Sequence, residues 1–274
     1  YDCVARKIAP ERVVFRTLDC GADKMLAAQE ALREPNPALG LRGIRFCLRH
    51  QGIFRTQLRA LMRAGITGNM AIMLPMISGR EEDLAVRRIM QELHQQLQAE
   101  GLPHADQLPL GIMVETPSAV LIADTLAREC DFFSIGTNDL IHYLIAIDRN
   151  NAHVSHLAEA LHPAVVRSLK RVIDAAHREG IGVSVCGELA ADPYGLAILL
   201  GMGVDSVSAS PRFISGMKHM IRRLDAKFCD ELAHSVLMST DVSVSQRILR
   251  ERLQAVLGPE LAFHTTSILT ESRP

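Results

Sequence analysis

Short apolar runs alternate with longer amphipathic stretches along most of this chain. Six runs read as strands: Val13 to Asp19, Met70 to Met76, Leu110 to Glu115, Asp131 to Thr137, Gly182 to Glu188 and Asp205 to Ser210. Each is mostly apolar on both faces, the pattern of parallel strands covered on both sides. The stretches between them have helical periodicity. In "EEDLAVRRIMQELHQQLQAEG", Val86, Met90, Leu93 and Leu97 share one face, and Gly101 is a natural stop. Ser78 and Glu81 have the spacing of a capping box ahead of it. Thr116-Pro117 predicts an N-cap and a first-turn proline for a helix reaching Glu129. His162-Pro163 opens another helix, with Val165, Leu169, Val172 and Ala176 on one stripe and Gly180 at its end. Repeated β-α-β units call for a parallel, right-handed arrangement.

Such units build either an open sheet or a barrel. Polar residues stand at the C-terminal end of nearly every strand: "RTLD", "ET", "GTND", "CGE" and "SAS". Open sheets gather function at one switch point, whereas barrels spread it around the rim, so the pattern favours an α/β barrel. A full barrel has eight strands and six are visible. Either two lie upstream of Tyr1 or the architecture is not a full barrel. Residues 1–225 are expected to form the partial β/α barrel. From about Ala226 the pattern is purely helical, so 226–274 read as a helical extension and tail. Neither an internal repeat nor a low-complexity block is found.

Composition narrows the function classes. The 274 residues carry 30 Lys and Arg against 31 Asp and Glu, so no global field invites nucleic acid or an anionic membrane. The chain is 48% hydrophobic without a tryptophan, so small aliphatic side chains fill the core. Six cysteines lie at wide, irregular spacings with no Cys-x-x-Cys pair, which predicts reduced thiols and a cytoplasmic location. No apolar run reaches membrane-spanning length, and the N-terminus does not resemble a signal peptide.

The rim holds the candidate chemistry. Glu115 and Asp139 end successive strands, and neighbouring strands lie roughly 5 Å apart. The two carboxylates read either as ligands for Mg²⁺ or as caps of the helices that follow. Arg16, Arg42, Arg45 and Arg149 are candidate anion contacts, and Arg16, within an apolar strand, needs a partner. Cys186 is either a small core residue or a thiol at the rim. The nearby Glu188 suits it better to a neutral proton donor than to a nucleophile. His153 and His156 read as surface residues, and neither a P-loop nor a G-x-S-x-G elbow is present.

Taken together, "VVFRTLDCGADK", "NPALGLRGIR", "IMLPM", "GIMVETPSA", "DFFSIGTNDL", "AIDRNN" and "VCGELAAD" resemble a known family. It is the phosphoenolpyruvate-binding domain of Enzyme I, the phosphoenolpyruvate–protein phosphotransferase of the bacterial phosphotransferase system. "DRNN" and "LHPAV" also resemble the nitrogen-system paralogue. The resemblance implies a phosphoenolpyruvate-binding (β/α)8 TIM-type barrel that uses Mg²⁺ and forms a homodimer. Arg16, Arg42, Asn138 and Arg149 match substrate contacts. Glu115 and Asp139 match the magnesium carboxylates, with Asp139 also at the substrate, and Cys186 matches the acid that protonates the enolate. The implied reaction moves phosphate from phosphoenolpyruvate to a histidine on a separate domain, then to a small phosphocarrier protein, leaving pyruvate.

The chain departs from the family at "CGADK", where Ala22 replaces a glycine, at Leu41, and in the segment after Lys24. A further phosphate-binding arginine, two strands and the phosphohistidine domain are expected upstream of Tyr1, so the chain alone is expected to be inactive. Two rivals share some of these features. One is a Mg²⁺-dependent pyruvate-type aldolase or lyase on a related barrel, which has no need of Cys186 and the arginines. The other is a non-catalytic regulatory or dimerisation fragment.

Overall fold

A computed structural model describes residues 1–19, 34, 36–149 and 151–258. Cys20, Ala22, Lys24, the first residue of "NN" in "DRNN" and the expected tail therefore lie outside the described residues. The chain divides into two units. The first contains Tyr1–Val114 and Thr125–Phe133, and the second contains Glu115–Asp124 and everything from Ser134 onward.

In chain order the first elements are α1 (Asp2–Ile8), β1 (Val13–Arg16), α2 (Gly43–Arg49), α3 (Gln51–Ala64), β2 (Met70–Leu74), α4 (Arg80–Ala99) and β3 (Leu110–Val114). There follow α5 (Pro117–Leu121), α6 (Ala123–Ala127), β4 (Phe132–Gly136), α7 (Thr137–Leu144), α8 (Pro163–Arg178) and β5 (Gly182–Cys186). The last are α9 (Glu188–Ala191), α10 (Pro193–Gly201), β6 (Ser206–Ser208), α11 (Pro211–Ile221), α12 (Ala226–Leu237) and α13 (Val242–Leu257). The six strands stand in the sheet in chain order, β1 to β6. The pairs β1–β2, β2–β3 and β5–β6 are parallel, with Val13 opposite Met70, Ile72 opposite Leu110, and Cys186 opposite Ser208. The order never reverses, so the sheet has no switch point of the doubly wound kind. This α/β arrangement is the singly wound order of a barrel sheet.

All six expected strands form, but each is shorter than the apolar pattern suggested. After β3, β4, β5 and β6 the polar residues that end the run start the next element. Thr116 accepts from the Ala119 amide at 3.2 Å and so caps α5. Gly136 is the N-cap of α7. The outer strands also differ from the expectation of cover on both faces. Along β1 half-buried and exposed residues alternate, with Val14 43% exposed, and β6 behaves likewise. Each of these two has one neighbour in the sheet.

Two helix starts repay comparison. His162 opens α8 as expected, its Nδ1 accepting from the Ala164 amide at 3.1 Å. The N-cap of α4 sits one residue later than Ser78 and Glu81 suggested, and only the acidic half of a capping box forms. Gly79 is the N-cap, and Glu82 reaches back to accept from the amides of Gly79 (3.1 Å) and Ser78 (2.6 Å). The single helix expected from Pro117 to Glu129 is broken at Ile122. Arg171 of α8 explains the break. Its guanidinium takes the carbonyls of Val120 (3.1 Å) and Leu121 (2.7 Å) that a continuing helix would have used.

The core of the first unit is aliphatic, with Leu58, Leu61, Ile72, Leu74, Leu97 and Ile112 buried and Phe54 among them. In the second unit α10 is apolar on all sides and buried, as a helix without a polar face must be. Asp192 caps it, accepting from Tyr194 and Gly195 amides at 2.8 and 3.1 Å. Gly201 lets α12 come close, since a Cβ there would sit 2.0 Å from the Cys229 carbonyl oxygen.

One device occurs twice. Asp131 precedes β4, and its carboxylate accepts from the Leu110 amide at 2.7 Å while its own amide donates to the Leu110 carbonyl at 3.0 Å. Asp205 precedes β6 and treats Val183 in the same way, at 2.8 and 3.2 Å. Each aspartate closes a ring with the start of a neighbouring strand and fixes the register there.

Candidate active site

Most of the singled-out residues lie in the second unit, where β4 and β5 end. Gly136 ends β4, and Thr137, Asn138 and Asp139 form the first turn of α7. Thr137 Oγ1 donates to the Cys186 carbonyl at 2.8 Å. Asn138 Oδ1 accepts from the Glu188 amide at 3.1 Å, which fixes the side-chain flip and assigns its NH₂ the donor role on the other side. Gly187 makes this lacing possible. It adopts φ +100°, and a Cβ would stand 2.3 Å from Thr137 Oγ1 and 2.9 Å from Asn138 Oδ1.

Cys186 is the last residue of β5 and is half-buried. Its Sγ lies 3.5 Å from the Ile135 carbonyl, to which only a protonated thiol donates, and Ser134 Oγ approaches it at 3.9 Å. The described cysteines, Cys3, Cys47, Cys130, Cys186 and Cys229, are all free thiols. Burial pushes the Cys130 and Cys229 thiols up, to about 12 and about 11, so both are inert core groups.

Asp139 faces Arg149, with 3.7 Å between Oδ1 and Nη2. The Arg149 amide donates to buried His142 Nδ1 at 3.2 Å, which holds the loop that carries the guanidinium. Glu115 follows β3 and is 1% exposed. A carboxylate buried to that degree stays charged only beside cations or donors.

Two cavities open among these residues. The larger, about 830 Å³, is lined by Asn138, Cys186, Gly187, Glu188, Ser210 and Arg212. The second, about 470 Å³, is lined by Asn138, His142, Arg149, Ala160 and Glu188. Asn138 thus lines both, Cys186 one and Arg149 the other, while Glu115 and Asp139 line neither. Arg212 was missed in the sequence. It sits in the first turn of α11 with its guanidinium 4.5 Å above the Phe213 ring, and an isolated Arg after a proline carries no signal of its own.

In the first unit, Arg16 and Arg42 converge on Asp19. Arg16 Nη1 meets Asp19 Oδ2 at 3.0 Å. Arg42 grips both carboxylate oxygens, with Nη2 at 3.0 and 3.2 Å. The partner that Arg16 needed is therefore the acid of its own "RTLD" motif, where the three-residue spacing was a usable signal. Two guanidinium groups thus meet on one carboxylate. Arg45 instead donates to the Leu39 carbonyl at 3.2 Å. His153 and His156 are exposed, as expected.

Similarity to known proteins bears on this set. The chain is 45% identical over 237 residues to the phosphoenolpyruvate-protein phosphotransferase of Listeria monocytogenes, covering 86% of this chain and 41% of that protein. It is 44% identical over 245 residues to the protein of that name from Bacillus subtilis, covering 89% and 43%. The chain spans about two-fifths of the length of these curated relatives. Among solved structures, a citrate lyase from Burkholderia xenovorans overlays 77% of this chain and 73% of its own at 17% identity and a TM-score of 0.47, a likeness that carries no argument about function. The family model of the PEP-utilising enzyme, PEP-binding domain, matches residues 1–226. By that match the chain belongs to the PEP-utilising enzymes and carries their PEP-binding domain.

Proposed function

We propose that this chain is the substrate-binding part of a phosphoenolpyruvate–protein phosphotransferase. The observation that carries the reading is Cys186 Sγ, 3.5 Å from the Ile135 carbonyl and on the wall of a cavity that Asn138 also lines. Phosphoryl loss from phosphoenolpyruvate leaves an enolate whose methylene carbon must take a proton. Cys186 supplies it and is then reprotonated from solvent. The P–O bond to the enol oxygen breaks as phosphorus bonds to a histidine nitrogen on a separate domain, from which the group passes to a phosphocarrier protein. The Asn138 amide donates to the phosphate, and Arg16, Arg42 and Arg149 balance the charge of a small polyanion.

Glu115 and Asp139 offer hard carboxylate oxygens, the donor type that Mg²⁺ takes. When bound, the ion supplies positive charge to substrate oxygens. On this reading residues 1–225 bear the substrate site, 226–274 form a helical extension, and the protein works as a homodimer in the cytoplasm. Among the described residues, no helix is long and apolar enough to cross a membrane.

Titration calorimetry with phosphoenolpyruvate or oxalate, each with Mg²⁺, tests the reading. Heat of binding is expected from the parent and its loss from Glu115→Ala and Asp139→Ala. Absence of heat from the full-length parent, or unchanged heat in both variants, overturns the site.

A further inference from the structure

A cluster in the first unit takes no part in this chemistry. We propose that His94, His104 and Asp106 form a binding site for a borderline divalent transition-metal ion of the Zn²⁺ class. One ligand atom from each residue lies within 4.8 Å of the other two. His94 is in the last turns of α4. His104 and Asp106 stand in the connection from α4 to β3, two and four residues past the turn that ends at Leu102.

The two imidazoles are already close to ligand geometry. His104 Nε2 and His94 Nδ1 are 3.0 Å apart, with the rings 72° from parallel. Ligand atoms about 2.0–2.1 Å from a tetrahedral zinc are roughly 3.3 Å from one another. The separation is within a few tenths of an ångström of one edge of a coordination sphere, and binding then needs the two rings to turn their lone pairs off the N···N line toward the ion and the His94 proton to move to Nε2. His104 Nδ1 lies 2.8 Å from the Leu102 carbonyl, which assigns the proton to that nitrogen and leaves a lone pair on Nε2. An N–H held by a carbonyl on the far side of the ring is the usual support of a metal-bound histidine.

The connection is also held in place. Gly101 turns the chain at φ +66°, the Leu102 amide donates to the Leu97 carbonyl at 3.0 Å, and the Ala105 amide donates to the Met62 carbonyl at 2.9 Å. His104 thus sits between two anchored residues, so an ion has little chain to order. Both histidines are half-buried, and exposed Asp106 offers a carboxylate oxygen from the solvent side. Two nitrogens and one oxygen leave a coordination position for water. Imidazole donors select zinc, nickel, cobalt or copper over magnesium, unlike the all-carboxylate pair of Glu115 and Asp139.

The test is Co²⁺ titration of untagged protein followed by visible absorption, with Zn²⁺ as competitor. It is run in a Glu115→Gln, Asp139→Asn background so that those carboxylates contribute nothing. One equivalent of Co²⁺, displaced by Zn²⁺ and lacking a thiolate charge-transfer band, is expected. His94→Gln and His104→Gln should each weaken it at least tenfold while leaving the far-ultraviolet circular dichroism unchanged, and Asp106→Asn should weaken it less. No binding below millimolar Co²⁺, or affinity in either histidine variant equal to that of the background protein, would leave only an imidazole–imidazole hydrogen bond and overturn the site. Should the background variants fold poorly, Zn²⁺-induced thermal stabilisation of the parent decides. It must vanish in both histidine variants, and its persistence in either rejects the proposal.

Discussion

Arg149 stands over Asp139, its Nη2 3.7 Å from Oδ1, so the guanidinium occupies the side of the carboxylate on which a cation would be expected. An ion at Asp139 competes with that contact. Arg149→Ala is therefore expected to bind Mg²⁺ alone up to about fivefold more tightly, since a half-exposed pair is worth at most about 1 kcal/mol. The same variant should bind phosphoenolpyruvate with Mg²⁺ more weakly. The opposite signs are read by two titrations, with and without substrate. Loss of both affinities would show that Arg149 acts on the fold instead.

Removing the Cys186 thiol should separate binding from turnover. In the full-length protein, Cys186→Ala is expected to keep phosphoenolpyruvate affinity within about twofold. Protonation of the enolate, read as pyruvate formation, should slow about 10²–10⁴-fold, the usual contribution of a positioned acid. Full activity in this variant would assign proton delivery to another group.

Gly187 tests the lacing of β4 to β5. Alanine there meets Thr137 Oγ1 and adopts a positive φ, so strain of about 1–3 kcal/mol is expected. The thermal midpoint should drop by about 3–10 °C. Differential scanning calorimetry measures it. An unshifted midpoint would mean that the two strand ends move apart at little cost.

Asp83 gives a pH dependence far from the chemistry. It is fully buried, and its Oδ2 accepts from Arg87 Nε at 2.8 Å. Burial raises its pKa above the ordinary 3.8, and the Arg87 guanidinium opposes the rise without cancelling it. The folded chain therefore holds this proton more tightly than the unfolded chain does. The resulting stabilisation is full below pH 3.8 and is lost as pH rises through the folded value. Asp83→Asn lacks that slope, so its stability relative to the parent should climb with pH above 3.8. Urea unfolding across the acid range measures it, and parallel curves would contradict it.

What could be read from the residues follows a physical divide. Apolar runs and helical stripes are local, and they located all six strands, the face of α8 and that of α4 except that Ile89 is buried there and Met90 is not. The ends of the strands were not local. "ET" and "GTND" continue a strand pattern by eye, yet Thr116 leaves the ladder as a cap and Thr137 already starts α7. The break at Ile122 depends on Arg171, roughly fifty residues away, and no window along the chain contains both. Asn138 and Cys186 drew notice because each stands at or just past a strand end, where β/α folds put their chemistry. The contact between His94 and His104 was not, because a helix end and a glycine turn bring the two rings together.

The paired aspartates Asp131 and Asp205 carry a consequence for mutagenesis. "DFFSIGTND" begins with one carboxylate and closes with another, and the two lie at opposite ends of β4. Asp131 is engaged with main chain on both its amide and its side chain, which leaves it little to offer a ligand. Loss of its charge should be felt as slipped strands and poor yield. Loss of the charge at Asp139 should be felt in a well-folded protein that no longer meets its ligand. A single short segment thus supplies both a folding control and a functional probe, and the fault in either variant can be assigned without reference to any other part of the chain.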